Sequence, residues 1–377
     1  MKAVKEERKK ILGMVKNGQI SIEEAEKLLE ELEKIETVIK ENDNNQASEL
    51  AAIEEFESSH KYSDTNDQGT NYSKSSNFAK EAKETLFNLF EGAKKKLKEM
   101  DLDFHHSVNV SHVFQQNAAD FNDIFVEIPN GSVQVSVWDH TDVRVECEGK
   151  VYREEDPISG KERFLNNIEF VVDEKGLTFL SKEKFMKVDT KIYVPQREYA
   201  KVYVKVFNGS IMGESVNSKK FNVQTSNGQM RLSGCVGETA DLETANGSIT
   251  LTQCAIQKLE TETVNGKITI DGQYEEVEAE SISGAIHVYA KDEGLKSAKL
   301  SSGTGGIQMY VVKGLPMSGE IKSNFGNVTV NIENLYKIDE SKEMIQKTIK
   351  FDTTADLHNK AYLFAESKTG SVVVKHF

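Results

Sequence analysis

The stretch Thr225–Cys254, TSNGQMRLSGCVGETADLETANGSITLTQC, writes nearly the same phrase twice. Thr-x-Asn-Gly stands at Thr225–Gly228, at Thr244–Gly247 and again at Thr263–Gly266, each time followed by an alternating apolar pair. A catalytic site rarely has to be written three times. A structural repeat does.

The repeat extends in both directions. Its glycine falls at Gly131, Gly209, Gly228, Gly247, Gly266, Gly284, Gly305, Gly326 and Gly370, and from Gly209 to Gly326 the spacing is 18–21 residues. Two positions after the glycine lie Ile211, Met230, Ile249, Ile268, Ile286, Ile307 and Val328. Four after it, from the second of these copies, lie Leu232, Leu251, Ile270, Val288, Met309 and Val330. Three before it, the same copies give Thr225, Thr244, Thr263, Ser281, Ser302 and Ser323. Five before it they give Val223, Leu242, Thr261, Ala279, Leu300 and Ile321.

Each copy therefore reads as a strand, a tight glycine turn and a second strand, with alternate residues apolar or small. Asn-Gly is expected to supply the positive φ that such a turn needs. One copy is too short to close a core, and stacked neighbours close it together. The pattern predicts a parallel β-solenoid, with rungs about 4.8 Å apart and a Thr/Ser ladder lining one corner. An antiparallel hairpin meander fits the same alternation, because Asn-Gly is also a hairpin signal. The similar lengths of the linking segments "SGCVGETAD" and "TQCAIQKLE" favour the solenoid.

The solenoid domain is assigned to residues 105–377. Irregular first rungs or a β-cap fill 105–200, regular repeats 201–331, an insertion 332–360 and a last rung 361–377, with His376 and Phe377 capping the stack. Ahead of it, residues 1–41 read as an α-helical hairpin. Asn17-Gly18 ends its first helix, and the capping box Ser21–Glu24 opens the second. Ile11, Leu12, Leu28, Leu29 and Leu32 form apolar stripes offered to a partner. Residues 42–77 are a polar linker. Residues 78–104 form an amphipathic helix, with Phe78, Leu86, Phe87 and Phe90 in its apolar part and Lys94, Lys95, Lys96 and Lys98 crowding its end. Such a helix either packs on the β-domain or lies on an anionic membrane surface.

The net charge of −14 disfavours nucleic acid as a partner. A DNA-reading helix pair is disfavoured too, since the second helix is Glu-rich. Three cysteines in 377 residues make no disulfide framework. Cys235 and Cys254 occupy equivalent places in successive repeats, either as small core residues or as a bonded pair, and the reduced core is expected. His105, His106 and His112 lack the further ligands that a metal site needs, and Asp271, Glu275 and Glu276 lack a calcium-binding repeat pattern. No phosphate loop, nucleophile elbow or zinc-protease motif is present, so no cofactor, metal or catalytic residue is assigned. "MKAVKEERKKILGMVKNGQ" has no apolar core of signal-peptide length, and no run reaches membrane-span length. The expected address is the cytoplasm or the membrane's inner face; the alternative is the cell surface, reached without a standard signal.

The order of "ILGMVKNGQISIEEAEKLLEEL", polar linker, "KKKLKEMDLDF" and "NGSI" repeats resembles the YvlB/LiaX-type proteins of Gram-positive bacteria. These pair a short helical hairpin with an adhesin-like β-repeat domain of uncharacterised function. The resemblance implies a role in cell-envelope stress, with LiaF-like or PspC-like membrane-stress regulators as partners. The expected function is that of a non-enzymatic sensor or regulator. The alternatives are an adhesin-like surface binder and, less favoured, a polysaccharide-active enzyme, for which no carboxylate pair stands out.

Overall fold

A computed structural model describes residues 106–117, 120–333, 335–342, 345–353 and 360–377. The expected hairpin, linker and amphipathic helix lie outside these residues.

The chain runs through β1 (Ser107–Gln116), β2 (Asp123–Asn130), β3 (Val133–Trp138), β4 (Val143–Tyr152), the helix α1 (Pro157–Asn167), β5 (Ile168–Asp173), β6 (Gly176–Ser181) and β7 (Met186–Pro195). The repeats follow as β8 (Glu198–Asn208), β9 (Ile211–Glu214), β10 (Asn217–Asn227), β11 (Met230–Ser233), β12 (Val236–Asn246), β13 (Ile249–Asn265), β14 (Ile268–Ser283), β15 (Ile286–Ala290), β16 (Ser297–Ser302) and β17 (Ile307–Val311). The chain closes with β18 (Met317–Ser323), β19 (Val328–Asn331), β20 (Lys337–Lys342), β21 (Lys347–Asp352), β22 (Ala361–Ser367) and β23 (Val372–His376).

Successive repeats pair in parallel and in register: Met230 sits beside Ile211 and Ile249, and Ile249 beside Ile268. This is the solenoid, and it removes the hairpin meander, whose pairs would run antiparallel. Each rung has a long strand before the glycine and a short one after it, so the stack has two walls. Between them Met230, Ile249, Ile268, Ile286, Ile307 and Val372 form one buried column. Burying each such side chain contributes about 1.5–3 kcal/mol.

One carbonyl explains the two most regular columns of the sequence. The hydroxyls of Thr225, Thr244, Thr263, Ser281 and Ser302 donate to the carbonyl oxygens of Gly209, Gly228, Gly247, Gly266 and Gly284 on the preceding rung, at 3.0–3.2 Å. Buried hydroxyls need such partners. The same carbonyls leave no room for a side chain above them. A Cβ on Gly228, Gly247 or Gly266 would lie 1.8–2.0 Å from the glycine oxygen one rung back. The expectation that these glycines supply positive φ holds at Gly131 (+125°) and Gly209 (+151°), but Gly228 and the later repeat glycines lie outside that region. Close approach, not backbone handedness, sets the glycine column. The adjacent asparagines add a second ladder, in which the side-chain amides of Asn208, Asn227, Asn246 and Asn265 each donate to the asparagine one rung back at 2.8–3.0 Å.

The strand pair that ends the chain does not end the stack. β22 pairs with β16 on one side and β18 on the other, and β23 lies between β17 and β19. Spatially the glycine order is Gly305, Gly370, Gly326: Ser367 donates to the Gly305 carbonyl and Ser323 to that of Gly370, both at 2.8 Å. His376 and Phe377 therefore do not cap the solenoid. Within 332–360 the β20–β21 hairpin pairs antiparallel with β18, beyond the last rung.

At the other end, β2 and β3 make a true rung beside β8 and β9. β1, β4 and β7 pair antiparallel there, and so do β5 and β6, which makes a β-cap. The helix α1 interrupts this region, where the sequence pattern predicts only strands. Asp156 caps it by accepting from the Ser159 amide at 2.8 Å, with Pro157 in the first turn.

Two outcomes follow from this packing. Gly247→Ala must separate two rungs and should cost about 3 kcal/mol or more, whereas Gly314→Ala, at φ +88° with open space around it, should cost about 1 kcal/mol. Thr263→Val, which strands a buried carbonyl, should fall between them at about 1–3 kcal/mol; chemical denaturation followed by circular dichroism measures all three. A chain ending at Lys360 should lose amide-exchange protection across 317–331 while 217–283 stay protected, because its rung is missing from inside the stack.

Candidate functional site

The outer face of the long-strand wall carries the least expected chemistry. Counting from each glycine, positions −6 and −4 point outward. In three consecutive rungs they are Asp241 and Glu243, Glu260 and Glu262, Glu278 and Glu280. Parallel register aligns them as two columns of carboxylates, one rung apart. Like charges set directly beside each other across strands destabilise a sheet.

Neighbouring side chains answer part of this charge. The amides of Asn222 and Gln224 donate to Asp241 and Glu243 at 3.1 and 3.3 Å. Lys299 bonds Glu278 at 2.5 Å. The centre is Glu262, only 6% exposed, whose charged neighbours among the described residues, Glu280, Glu243, Glu260 and Asp241, are acidic. Burial, reinforced by those neighbours, pushes its carboxyl up to about 8. Burial, with Asp241 and Glu260 beside it, pushes Glu243 up to about 7. Asp241 and Glu260 are raised as well, again by burial first; Lys220 and Asn222 oppose the shift at Asp241. The wall thus holds a flat acidic face with protons poised near neutrality.

Other residues singled out in the sequence have quieter settings. His106 pairs with Glu155 at 2.8 Å, and His112 packs edge-on against Phe114; His105 is outside the described residues. Asp271, Glu275 and Glu276 pair with Lys291, Lys296 and Lys258. Among the described residues no group of three His, Cys, Asp or Glu side chains is arranged to hold a metal ion. Cys147, Cys235 and Cys254 are free and buried. The Cys235 thiol is raised by its hydrogen bond with Cys254 and by burial, and burial pushes Cys147 up to about 12. The proposed partner contacts (Ile11, Leu12, Leu28, Leu29 and Leu32) and membrane contacts (Phe78, Leu86, Phe87, Phe90, Lys94, Lys95, Lys96 and Lys98) all lie outside the described residues. The acidic columns went unselected in the sequence, although the −6 and −4 spacing was there to find them.

Comparison with known proteins fits this architecture. The Toastrack DUF4097 model matches residues 121–358, and a SHOCT-like domain model matches residues 6–37. "Uncharacterized protein YvlB" of Bacillus subtilis (strain 168) is 34% identical over 375 residues, 99% of each chain. Two solved structures, each described as a "putative adhesin", resemble the chain over 71% of its length and 97% of theirs. They are from Bacteroides fragilis (13% identical, TM-score 0.37) and Parabacteroides distasonis (11% identical, TM-score 0.39). By its repeat region and by its likeness over nearly the whole length to a relative, the chain belongs to the Toastrack DUF4097 family.

Proposed function

We propose that this protein is a non-catalytic regulator of the cell-envelope stress response. Its solenoid docks a basic segment of a membrane-stress regulator of the LiaF or PspC type. One observation carries the reading: Glu262 is nearly buried among carboxylates, and among the described residues no cation pairs with it. Proteins retain a locally unfavourable arrangement of this kind where function uses it. A rigid β-wall also holds its charges at fixed spacing, so a partner with Lys or Arg at matching intervals meets a preformed surface with little ordering cost. The stress role itself rests on the likeness to YvlB/LiaX-type proteins. In this reading the N-terminal 104 residues supply the membrane or membrane-protein contact, and the protein works at the inner face of the membrane rather than as a surface adhesin.

Protonation should report the strain. These carboxyls bind protons more tightly in the folded chain than in the unfolded one, where glutamate titrates near 4.3. Their contribution to stability is complete below that value and is lost as pH rises through about 7 to 8. Glu262→Gln should therefore stabilise the protein at pH 8, by about 1 kcal/mol after discounting for solvent screening, and give almost no gain at pH 4.5. Unfolding midpoints at the two pH values check this; equal gains at both would contradict it. Co-purification of the tagged full chain with a co-expressed LiaF- or PspC-type regulator tests the partner. Wild type should retain the regulator and Glu243→Lys/Glu262→Lys should release it, while retention by both would remove the acidic face from the reading.

A further inference from the structure

At the other end of the same wall the pairing opens. β2 pairs with β8 as far as Asn130, but with β6 only as far as Glu127. Beyond Ser181 the chain swings away from β2, and the Asn130 amide ties it back by donating to the Lys184 carbonyl at 2.8 Å. The gap is a cleft of about 580 Å³, within the usual size range of small-molecule sites. Ile128, Leu180, Phe185 and Phe207 provide apolar wall.

Three polar features make the cleft more than a packing flaw. Lys182 is held by Glu169 at 2.6 Å, but Lys184 and Lys205, which also line the cleft, have no ion pair among the described residues. The Arg153 guanidinium lies 4.0 Å from the centre of the Phe185 ring, a cation–π contact that fixes this wall of the cleft. Ser181, only 6% exposed, lines the cleft, and its buried hydroxyl has no hydrogen-bond partner among the described residues. Such a group in a native interior calls for an explanation, and a bound ligand supplies one. Glu127 is the one acidic residue among the described residues of the lining. Two unpaired ammoniums outweigh it, so a cation is disfavoured, and a neutral apolar ligand would leave the lysines and Ser181 unanswered.

We infer that this cleft binds a small anionic amphiphile. An acyl or aryl body would lie against Phe185 and Phe207, with one carboxylate or phosphate between Lys184 and Lys205 and accepting from Ser181. The ligand could be a membrane lipid or a free amphiphile, which share this chemistry. The site is independent of the acidic columns and stands if the partner reading above fails.

Isothermal titration of the full chain with decanoate, below its micelle concentration, tests the inference. Saturable one-to-one binding is expected. Lys184→Glu/Lys205→Glu should weaken it at least tenfold with an unchanged unfolding midpoint, and decanol should bind more weakly than decanoate. Absence of saturable binding, equal affinity in the double variant, or decanol binding as tightly as decanoate would each overturn it. Given decanoate binding, cosedimentation with phosphatidylglycerol vesicles that the double variant loses assigns a lipid source. Decanoate binding without such a loss assigns a free amphiphile, and both results agree with the site.

Discussion

The carbonyl oxygen of each repeat glycine is the constraint on which the stack depends. It points along the solenoid axis at the next rung, where only a glycine leaves space for it and where, from Gly209 to Gly305 and at Gly370, a hydroxyl three residues earlier satisfies it. A side chain at the glycine would force two rungs apart, and an apolar residue at the Thr/Ser position would leave a buried acceptor unpaired. Both errors fall on the contact between rungs, so a repeat array cannot absorb them locally. The Asn ladder from Asn130 to Asn265 fixes the same corner from outside. These interactions hold the outer faces flat and in register, which lets charged side chains form columns.

The closing of the chain adds a second constraint. The rung made by β22 and β23 comes after β18 and β19 in sequence, yet it lies inside the stack, between a rung and the one that follows that rung in sequence. Until it arrives, the β18–β19 rung has only the β20–β21 hairpin beside it and no strand pairing with the rest of the stack. Insertion of the C-terminal strands thus ties residues more than 60 positions apart, as the Ser367–Gly305 hydrogen bond shows. Contacts between such distant residues form late and cost loop-closure entropy.

Much of this was legible in the sequence because the period is nearly constant. Glycine, Thr/Ser and apolar columns at fixed offsets fixed the rung, its turn and its interior. The reason for the glycines was not legible, since positive φ and close approach leave the same residue in the same place. The order of the final rungs was hidden for a similar reason: Ser323–Gly326 and Ser367–Gly370 carry the same Ser-x-x-Gly signature, so neither position in the stack is marked. α1 was missed although Asp156-Pro157 signals a helix start. The acidic columns were visible at offsets −6 and −4, but their significance depends on parallel register, which turns sequence spacing into adjacency. The cleft has no motif at all. It arises where β2 and β6 part company, from residues spread between Glu127 and Asn208.

Methyl–methyl contacts in an isoleucine- and valine-labelled, otherwise deuterated sample test the stacked order most directly. The account predicts an unbroken chain of nuclear Overhauser effects from Ile249 to Ile268, Ile286, Ile307, Val372 and Val328, in that order, with none linking Ile307 directly to Val328. A strong Ile307–Val328 contact, or no ladder among the first four, would contradict it.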